Sequence, residues 1–472
     1  MKKTIIFASV ALATLFAFSS CQKENLENNY SENNVRVITA TFENNGTKTT
    51  LSTEDNKTPL WKEGDIIRVL NATVFEDITL TADNIKNDGK SITFTTTLTG
   101  TLYAVYPASA TAMTSCSGSI AFTIPAVQDG TFASANICVA KSMEDDETNK
   151  DNLVFSNATS VLEFSQTAAT TQVLSVRVEA ANAIAGPMTV NYKSDGTFDT
   201  PTTSSLSGKL IRVKSATAVD KYYIAVAPVA TGKIEFEYQK AVEVATVTTE
   251  AGKTLAANTI YTCSMDGQTY GIKEGSINGH DYVQVGSVKW ATKNIGATAP
   301  TGADSYGDLF SWGDVATKGN YGKSSYGSPA KDIATNIAPD SGYDVARVKW
   351  GGTWRMPTGN EGEFNALKKA TYWKWEDSGY YVYVPQTGDA GKINNKSSNT
   401  YNKSDALLFF PAAGSCAASS TSPSGGGTTG YYWSSTWNSS GNAYRLTFDS
   451  TSVSPQSNST RFCGYSVRPV SD

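Results

Sequence analysis

Val35-Arg36-Val37-Ile38-Thr39-Ala40-Thr41-Phe42, followed by Asn45-Gly46, is the stretch that decides the fold class of this chain. β-Branched side chains recur along it, and side chains of this shape fit a pleated sheet well. An Asn-Gly pair is a strong signal for a tight turn. The stretch therefore predicts a β-strand that ends in a turn.

Runs of the same type recur along the chain as far as Met265. They lie at residues 66–70, 91–97, 101–106, 119–124, 152–155, 161–164, 173–179, 222–227, 234–238 and 259–264. No segment of this region shows sustained helical periodicity. We expect it to be all-β and to form two sandwich-like domains, residues 35–150 and 151–268.

The composition changes in the C-terminal part, which we place at residues 275–472. Eight of the nine tryptophans lie there. Thr358-Gly359-Asn360-Glu361 has the spacing of a capping box, and Phe364, Leu367 and Ala370 fall on one face of the helix that would follow. We therefore expect a mostly β protein whose last domain is mixed α+β.

The first residues have the layout of a secretory signal, with two lysines before an apolar run too short to span a membrane. Residues 1–20 end in small residues before Cys21, which resembles a lipobox in which the cysteine is acylated, for example with palmitate. The polar residues 21–34 predict a flexible tether. We expect a surface-exposed lipoprotein of a cell outer membrane. The alternative is an ordinary signal peptide followed by an incidental cysteine.

Charge and histidine content argue against several classes of function. The net charge is −5 and the pI is near 5.3, so no basic stripe is available for nucleic acid. His280 is the single histidine, which disfavours zinc sites of the multi-histidine type and leaves any catalytic triad dependent on one residue. We expect no enzyme, no metal and no cofactor.

The cysteines are scattered without a C-x-x-C spacing, which disfavours a metal cluster. Cys416 and Cys463 fall in the same domain, and we favour them as a disulfide pair in an oxidising compartment. Free buried thiols are the alternative interpretation.

The stretch Trp61-Lys62-Glu63-Gly64-Asp65 resembles the Trp-x-x-Gly-Asp hallmark of fimbrillin-like proteins, the pilins of type V pili. Later segments agree with that family in order, and they are residues 103–107, 124–128, 155–158 and 222–228. The resemblance implies two β-sandwich domains and subunits that join by donor-strand exchange after an Arg-specific protease removes the first strand. Arg36 is the candidate cleavage point; the alternative is a solvent-facing strand residue.

The C-terminal part is similar to a second family, the major-paralogous domains of surface lipoproteins. The resemblance rests on motifs at residues 287–297, 306–313, 350–358, 410–414, 432–436 and 464–470. It implies an α+β domain of C-type-lectin and formylglycine-generating-enzyme type. The paired-cysteine site of that enzyme has no match here.

Aromatic and amide groups in this domain are candidates for sugar contact, because an exposed ring can stack on a pyranose while amides bind its hydroxyls. The candidates are Tyr372, Trp373, Trp375, Trp437 and Asn438. Core packing is the alternative explanation for each aromatic residue.

Two functions are compatible with these observations. In the first, the chain is a pilus subunit, placed at the tip, that joins other pilin subunits by donor-strand exchange and carries a C-terminal head for host or glycan ligands. In the second, it is a lipid-anchored glycan-binding protein that does not polymerise.

Overall fold

A computed structural model of the chain describes residues 35–43, 60–142, 151–193, 197–328, 330–394, 401–416 and 423–472. The predicted signal segment, tether and lipidation residue Cys21 lie outside these ranges. The described chain is mostly β, as the strand pattern predicts. None of its helices is long and apolar enough to cross a membrane.

The N-terminal part contains ten strands and one helical turn. They are β1 (Arg36–Phe42), β2 (Ile66–Leu70), β3 (Phe75–Thr79), β4 (Ile85–Lys86), β5 (Ser91–Thr96), β6 (Tyr103–Tyr106), β7 (Ser119–Ile124), β8 (Val127–Gln128), α1 (Phe132–Ala135), β9 (Cys138–Lys141) and β10 (Asn152–Asn157). Eight of the strands form one sheet in the order β3-β2-β6-β9-β10-β1-β5-β4. Strand β1 is thus an interior strand, antiparallel to β5 and parallel to β10.

The inward side chains of β1 hold the core of this sheet. Ile38, Ala40 and Phe42 alternate with more exposed residues, as expected for a strand with one buried face. The Phe42 ring stacks on Trp61 with 4.1 Å between ring centroids. Trp61 also meets the rings of Tyr106 and Phe155 edge-on. The first tryptophan is therefore a core residue that packs directly on β1.

The rest of the Trp-x-x-Gly-Asp motif builds the turn that places Trp61. Gly64 has a φ of +87°, which favours glycine. The Lys62 amide donates to Asp65 Oδ2 over 2.9 Å, and the Tyr106 hydroxyl donates to Asp65 Oδ1 over 3.0 Å. The motif is therefore architectural in this chain.

The second part contains eight strands and one helical turn. They are β11 (Ser160–Ser165), α2 (Ala168–Thr171), β12 (Ser175–Ala180), β13 (Gly186–Asn191), β14 (Leu210–Lys214), β15 (Lys221–Val226), β16 (Ile234–Gln239), β17 (Val244–Thr248) and β18 (Thr259–Ser264). Their sheets have the orders β15-β11-β18, β17-β16-β12-β14-β8 and β7-β13.

Two strands depart from the predicted division of the chain near residue 150. Strand β7 pairs with β13 and β8 pairs with β14, so this segment joins the sheets of the second part before β9 and β10 return to the first. Ile120, Phe122 and Ile124 accordingly belong to the second core. Strand pairing depends on distant partners, which a local pattern does not reveal.

The C-terminal part combines ten strands with two helices. They are β19 (Lys273–Ile277), β20 (His280–Val285), β21 (Val288–Ala291), α3 (Val345–Trp350), α4 (Glu363–Ala370), β22 (Tyr372–Glu376), β23 (Gly379–Tyr383), β24 (Leu408–Pro411), β25 (Thr429–Trp437), β26 (Asn442–Asp449), β27 (Ser452–Thr460) and β28 (Val470–Ser471). The sheets are β19-β20-β21-β28, β22-β23-β24 and β25-β26-β27.

The predicted helix begins four residues later than the capping box implies, since a cap at Thr358 would start it at residue 359. The helix α4 starts at Glu363. The residue that exchanges hydrogen bonds with Thr358 is Glu363, not Glu361 as the capping box predicts. The Glu363 amide donates to Thr358 Oγ1 over 3.0 Å, and the Thr358 amide donates to Glu363 Oε2 over 2.8 Å. Phe364 and Leu367 are buried, as the helical face predicts.

A buried arginine connects the two ends of the C-terminal domain. Arg468 donates to Asn294 Oδ1 over 2.8 Å and to the carbonyl oxygens of Ala291 and Phe409 over 3.1 and 2.7 Å. Burial lowers the pKa of Arg468 to about 10, so the guanidinium stays cationic at neutral pH. Its donors are satisfied by groups far apart in sequence, which makes it a cross-link of the domain.

A buried carboxylate attaches this domain to the second part. Glu237 on β16 accepts hydrogen bonds from Lys273 Nζ over 2.7 Å and from Gln284 Nε2 over 2.9 Å, both from the C-terminal domain. Gln239 donates to it over 2.5 Å. Burial opposes ionisation of Glu237, but the hydrogen bonds from Lys273, Gln284 and Gln239 outweigh it and lower the pKa to about 2.

We predict that Glu237→Gln lowers the free energy of unfolding by about 3 kcal/mol at pH 7. A pKa of about 2 means that the folded state stabilises the ionised carboxylate by roughly this free energy relative to the unfolded chain. The contribution is present above the unfolded pKa of about 4.3 and is lost as the pH falls toward the folded value. Urea unfolding of both proteins from pH 7 downward should show the difference shrink in acid. Glu179→Gln, on the same sheet but more exposed, is the control; a constant difference between wild type and Glu237→Gln at all pH values would contradict the prediction.

Candidate functional site

Strand β1 is the part of the chain to which the assembly prediction applies, and Arg36 is its first residue. The Arg36 guanidinium donates to Asp151 Oδ1 over 2.9 Å and to the Gly100 carbonyl over 2.7 Å. Hydrolysis after Arg36 would leave the next six of the seven residues of β1 in the sheet. A cut at Arg36 alone would therefore not release β1 as the structure has it, because six of its residues follow the cut. Arg36 as the maturation cleavage point stays a prediction.

The C-terminal end of the described chain is held inside its own domain. Strand β28 pairs with β21, and both Val470 and Ser471 are buried. The Arg355 amide and the Val470 carbonyl are 2.9 Å apart, with a second hydrogen bond in the reverse direction. The Arg355 side chain binds Glu363 and Asp472, which adds ion pairs at the terminus.

Two of the predicted sugar contacts are core residues. Trp373 is fully buried, lies against Phe410 and Tyr380, and donates from Nε1 to Thr371 Oγ1 over 2.8 Å. Tyr372 is also fully buried and stacks on Tyr401 at 4.2 Å. The interpretation of Tyr372 and Trp373 as ligand contacts is therefore wrong, and core packing explains them.

The other three predicted contacts are partly exposed but do not form one site. Trp375 packs edge-on against Tyr380 and Phe448. Trp437 belongs to a different hydrophobic cluster and donates its backbone amide to Asn336 Oδ1. Asn438 follows it and closes a turn through its amide to the Asn442 carbonyl. Their role in binding stays a prediction.

The predicted disulfide between Cys416 and Cys463 is absent from the structure, which holds both as free buried thiols. The ladder partner of Cys416 is Gly464, with hydrogen bonds of 3.1 and 2.7 Å between their backbones. Cys463 precedes Gly464 and lies in a bend, where its amide donates to the Thr460 carbonyl over 3.2 Å. The two thiols lie in different clusters, and burial raises the pKa of Cys416.

The C-terminal domain has an open cleft of about 720 Å³ between the β19–β20 hairpin and strands β23 and β24. The partly exposed Tyr282 lines one side, and the buried residues Tyr381 and Phe409 line the other. The ring of Tyr282 crosses Gly275, where a Cβ would come within 2.6 Å of the tyrosine oxygen. Glycine at this position therefore lets the Tyr282 ring lie directly against the backbone of β19.

Charged groups stand at the rim of the same cleft. Lys403 Nζ lies 2.7 Å from Asp377 Oδ2 and 3.0 Å from Glu376 Oε1, and the hydrogen bonds that it donates to these carboxylates raise its pKa. The Tyr381 hydroxyl donates to Asp377 over 2.9 Å. Burial, together with Asp377, raises the pKa of Tyr381 to about 12, so this hydroxyl stays protonated at neutral pH.

Sequence reasoning missed this cleft because its walls come from strands that lie far apart in the sequence, β20 at His280–Val285 and β23 at Gly379–Tyr383. Asp281 and Glu274 complete its polar rim from the hairpin. A local signal existed in Tyr282, an aromatic residue that alternates with the buried Val283 on one strand. No local pattern in the sequence indicated that Tyr381 lies opposite Tyr282 across the cleft. Among the described residues, no group of three or more histidine, cysteine or acidic side chains is arranged to hold a metal ion.

Comparison with known proteins gives limited matches. A family model described as a domain of unknown function (DUF8237) matches residues 361–470. No curated protein matches the chain.

Three solved structures illustrate the similarity found by structure comparison. A provisionally assigned cell adhesion protein from Bacteroides ovatus has 15% identity and a TM-score of 0.31, covering 50% of this chain and 94% of its own. A fimbrial protein from the same species has 12% identity and a TM-score of 0.25, covering 92% and 98%. The fimbrial anchor protein Mfa2 from Porphyromonas gingivalis has 11% identity and a TM-score of 0.22, covering 53% and 99%. These scores are too low to establish a shared fold.

We predict that Trp373→Ala lowers the free energy of unfolding by about 3–5 kcal/mol, because it empties a fully buried site and leaves Thr371 Oγ1 without its donor. Trp437→Ala, at a partly exposed ring, is the matched variant and should cost less than about 2 kcal/mol. Urea unfolding followed by circular dichroism measures both. Equal losses in the two variants would contradict the assignment of Trp373 to the core.

Proposed function

We propose that this chain is an exported surface subunit of a pilus that accepts a donor strand from another subunit and presents a C-terminal binding head. The observation that carries the proposal is the place of β1 inside its sheet, with strand partners on both sides. An interior strand near the N-terminus of the mature chain is the element that strand exchange needs, because its loss opens a groove flanked by two edges.

The chemistry of that groove favours replacement by another strand. Without β1, the backbone groups of β5 and β10 that now pair with it lose their partners, and unpaired strand edges recruit extended segments. Trp61 and Phe155 would lose the cover of Phe42. An incoming strand with apolar residues at alternate positions would restore both the hydrogen bonds and the core.

We place the subunit at the end of the fibre, at its tip. Strand β28 pairs with β21 inside the C-terminal domain, so this strand is not free to be donated to a neighbouring subunit. A strand-accepting subunit that keeps this strand in its own domain would stand at the end of a polymer. The lipid on Cys21 would hold the precursor at the outer membrane before assembly.

The C-terminal cleft suits a saccharide. Tyr282 offers a partly exposed aromatic face, and a pyranose presents a C–H face that stacks on such a ring. The carboxylates of Asp281 and Glu274 accept from sugar hydroxyls, and Lys403 donates to them. We infer that the head binds a host or microbial glycan here, which moves the predicted sugar site away from Tyr372 and Trp373.

A second function uses the same head without polymerisation. Arg36 is tied to Asp151 and Gly100 at the start of β1, so the strand is well held in the intact chain. If β1 is never released, the protein is a lipid-anchored glycan-binding protein. The two functions differ in whether the first sheet exchanges its strand.

We predict that strand capture depends on the inward residues of β1. A specific protease site placed between β1 and β2 would be cut, and a peptide of residues 36–42 with an affinity label would be added. The cut protein should retain this peptide through gel filtration, because the peptide refills the groove. A peptide with Ile38→Asp and Phe42→Asp should not be retained, since burial of two carboxylates is costly. Equal retention of both peptides, or of neither, would argue against strand exchange.

We predict that Tyr282→Ala weakens glycan binding roughly tenfold, because loss of one stacking face and its burial removes on the order of 1.4 kcal/mol. A glycan array probed with the mature protein would identify the ligand, and titration would compare the variants. Lys403→Ala should also weaken binding. Val348→Ala, at an exposed residue of α3 away from the cleft, is the control. Unchanged affinity in Tyr282→Ala would place the ligand elsewhere.

A further inference from the structure

A second cleft of the C-terminal domain, about 550 Å³ in volume, lies between the turn after β25 and the end of β27. Its charged lining residues are Lys323, Lys331, Arg461 and Asp332, and the rings of Tyr326 and Phe462 complete the walls. None of these residues lines the cleft at Tyr282. It is therefore a separate cavity with its own chemistry.

Arg461 is the buried member of this set, with 2% of its surface exposed. Its guanidinium donates to the carbonyl oxygens of Ile333 over 2.5 Å, Ser440 over 2.7 Å and Lys331. It also lies over the ring of Trp312, 5.2 Å from the centroid. Carbonyl oxygens satisfy the donors without carrying a net charge. Within the described ranges no carboxylate forms an ion pair with Arg461, and its Nε has no hydrogen-bond partner.

The remaining charges of the cleft leave a positive excess. Lys323 and Lys331 are exposed, and neither forms an ion pair with any residue that the structure describes. Asp332 is the one acidic lining residue, and its Oδ2 accepts from Ser328 over 2.6 Å. Lys318, which lies over the Tyr326 ring, is neutralised by Asp314 at 2.6 Å. Three cations therefore face one carboxylate.

This excess stands out on an acidic protein. The whole chain has a formal net charge of −5, yet the lining of this cleft sums to +3 − 1 = +2. A concave site lined by one sign of charge concentrates the potential and attracts the opposite ion. The low-dielectric position of Arg461 strengthens the attraction, because water screens a buried charge poorly.

We propose that this cleft binds the acidic group of a charged saccharide, a carboxylate or a sulfate. Arg461 provides the buried cation beneath the cleft, while Lys323 and Lys331 meet the anion from the surface. The rings of Tyr326 and Phe462 supply the apolar face for the sugar, and Ser440 and Thr460 supply hydroxyls for its polar edge. The inference rests on the proposed function only in taking the C-terminal domain as a binding head.

The test uses the mature full-length protein and three probes in calorimetric titration. A hyaluronan tetrasaccharide carries carboxylates, its methyl ester carries none, and a keratan sulfate fragment carries sulfate without carboxylate. Binding of the first or third probe, with weaker binding at higher ionic strength, is the expected result, and the stronger of the two identifies the acid. Equal affinity for the methyl ester, or no binding of either acidic probe at about 10 mM, would overturn the inference.

Substitutions of exposed lysines test the site without disturbing the core of the domain. Lys323→Gln combined with Lys331→Gln should weaken binding of the acidic probe at least roughly tenfold and reduce its salt dependence. Lys349→Gln combined with Lys369→Gln removes the same charge at exposed sites outside the cleft and should change nothing. Arg461→Lys keeps the buried charge but cannot hold the carbonyl groups of Ile333, Ser440 and Lys331 together, so it should also weaken binding by disturbing the lining of the cleft.

Failure of this inference is distinguishable from failure of the proposed function. Strand capture by the first sheet and glycan binding at Tyr282 do not involve Lys323 or Lys331, so both should persist in the double variant. If Tyr282→Ala abolishes binding of the acidic probe while the double lysine variant binds it normally, the acid is recognised in the other cleft and the inference is wrong.

Discussion

The insertion of β1 between β5 and β10 is the constraint on which the first sheet depends. The strand supplies hydrogen bonds to both neighbours and three inward side chains to one core. Phe42, the last residue of β1, stacks on Trp61. The turn at Gly64 and Asp65 positions Trp61 for this contact. Without β1 the sheet would divide between β5 and β10, because β1 is the strand that pairs with both. The proposed exchange between subunits acts on this same strand.

Buried charges hold the rest of the molecule together. Glu237 ties the C-terminal domain to the preceding sheet, and Arg468 ties the end of that domain to its beginning. Arg461 differs from both, since its partners are carbonyl oxygens alone. The charge of Glu237 is balanced by Lys273, and that of Arg468 is enclosed within the domain. Arg461 instead lines a cleft, and the proposed binding of an acidic group depends on that position.

Residue type alone did not indicate which aromatic rings of the C-terminal domain are accessible. The tryptophans that attracted attention in the sequence are the largest side chains and fill the irregular core of the C-terminal domain, as Trp373 shows. The rings that line the open cleft are tyrosines and a phenylalanine of ordinary strand segments. Of these rings Tyr282 is partly exposed, whereas Tyr381 and Phe409 are buried and pack on each other with 4.5 Å between ring centroids. Exposure, rather than aromatic character, decides which ring meets a ligand.

The sequence by itself determined the β-rich class, the helix at Phe364 and Leu367, and every one of the strands predicted from Arg36 to Ser264, because alternation and periodicity are local properties of the chain. Only the tertiary structure decided that β7 and β8 join the second set of sheets, that Cys416 and Cys463 face apart, and that Tyr282 meets Tyr381 across a cleft. Each of these depends on which distant segments pair and in what register. A shift of one residue turns a side chain to the opposite face, so pairing partners must be known before faces can be assigned.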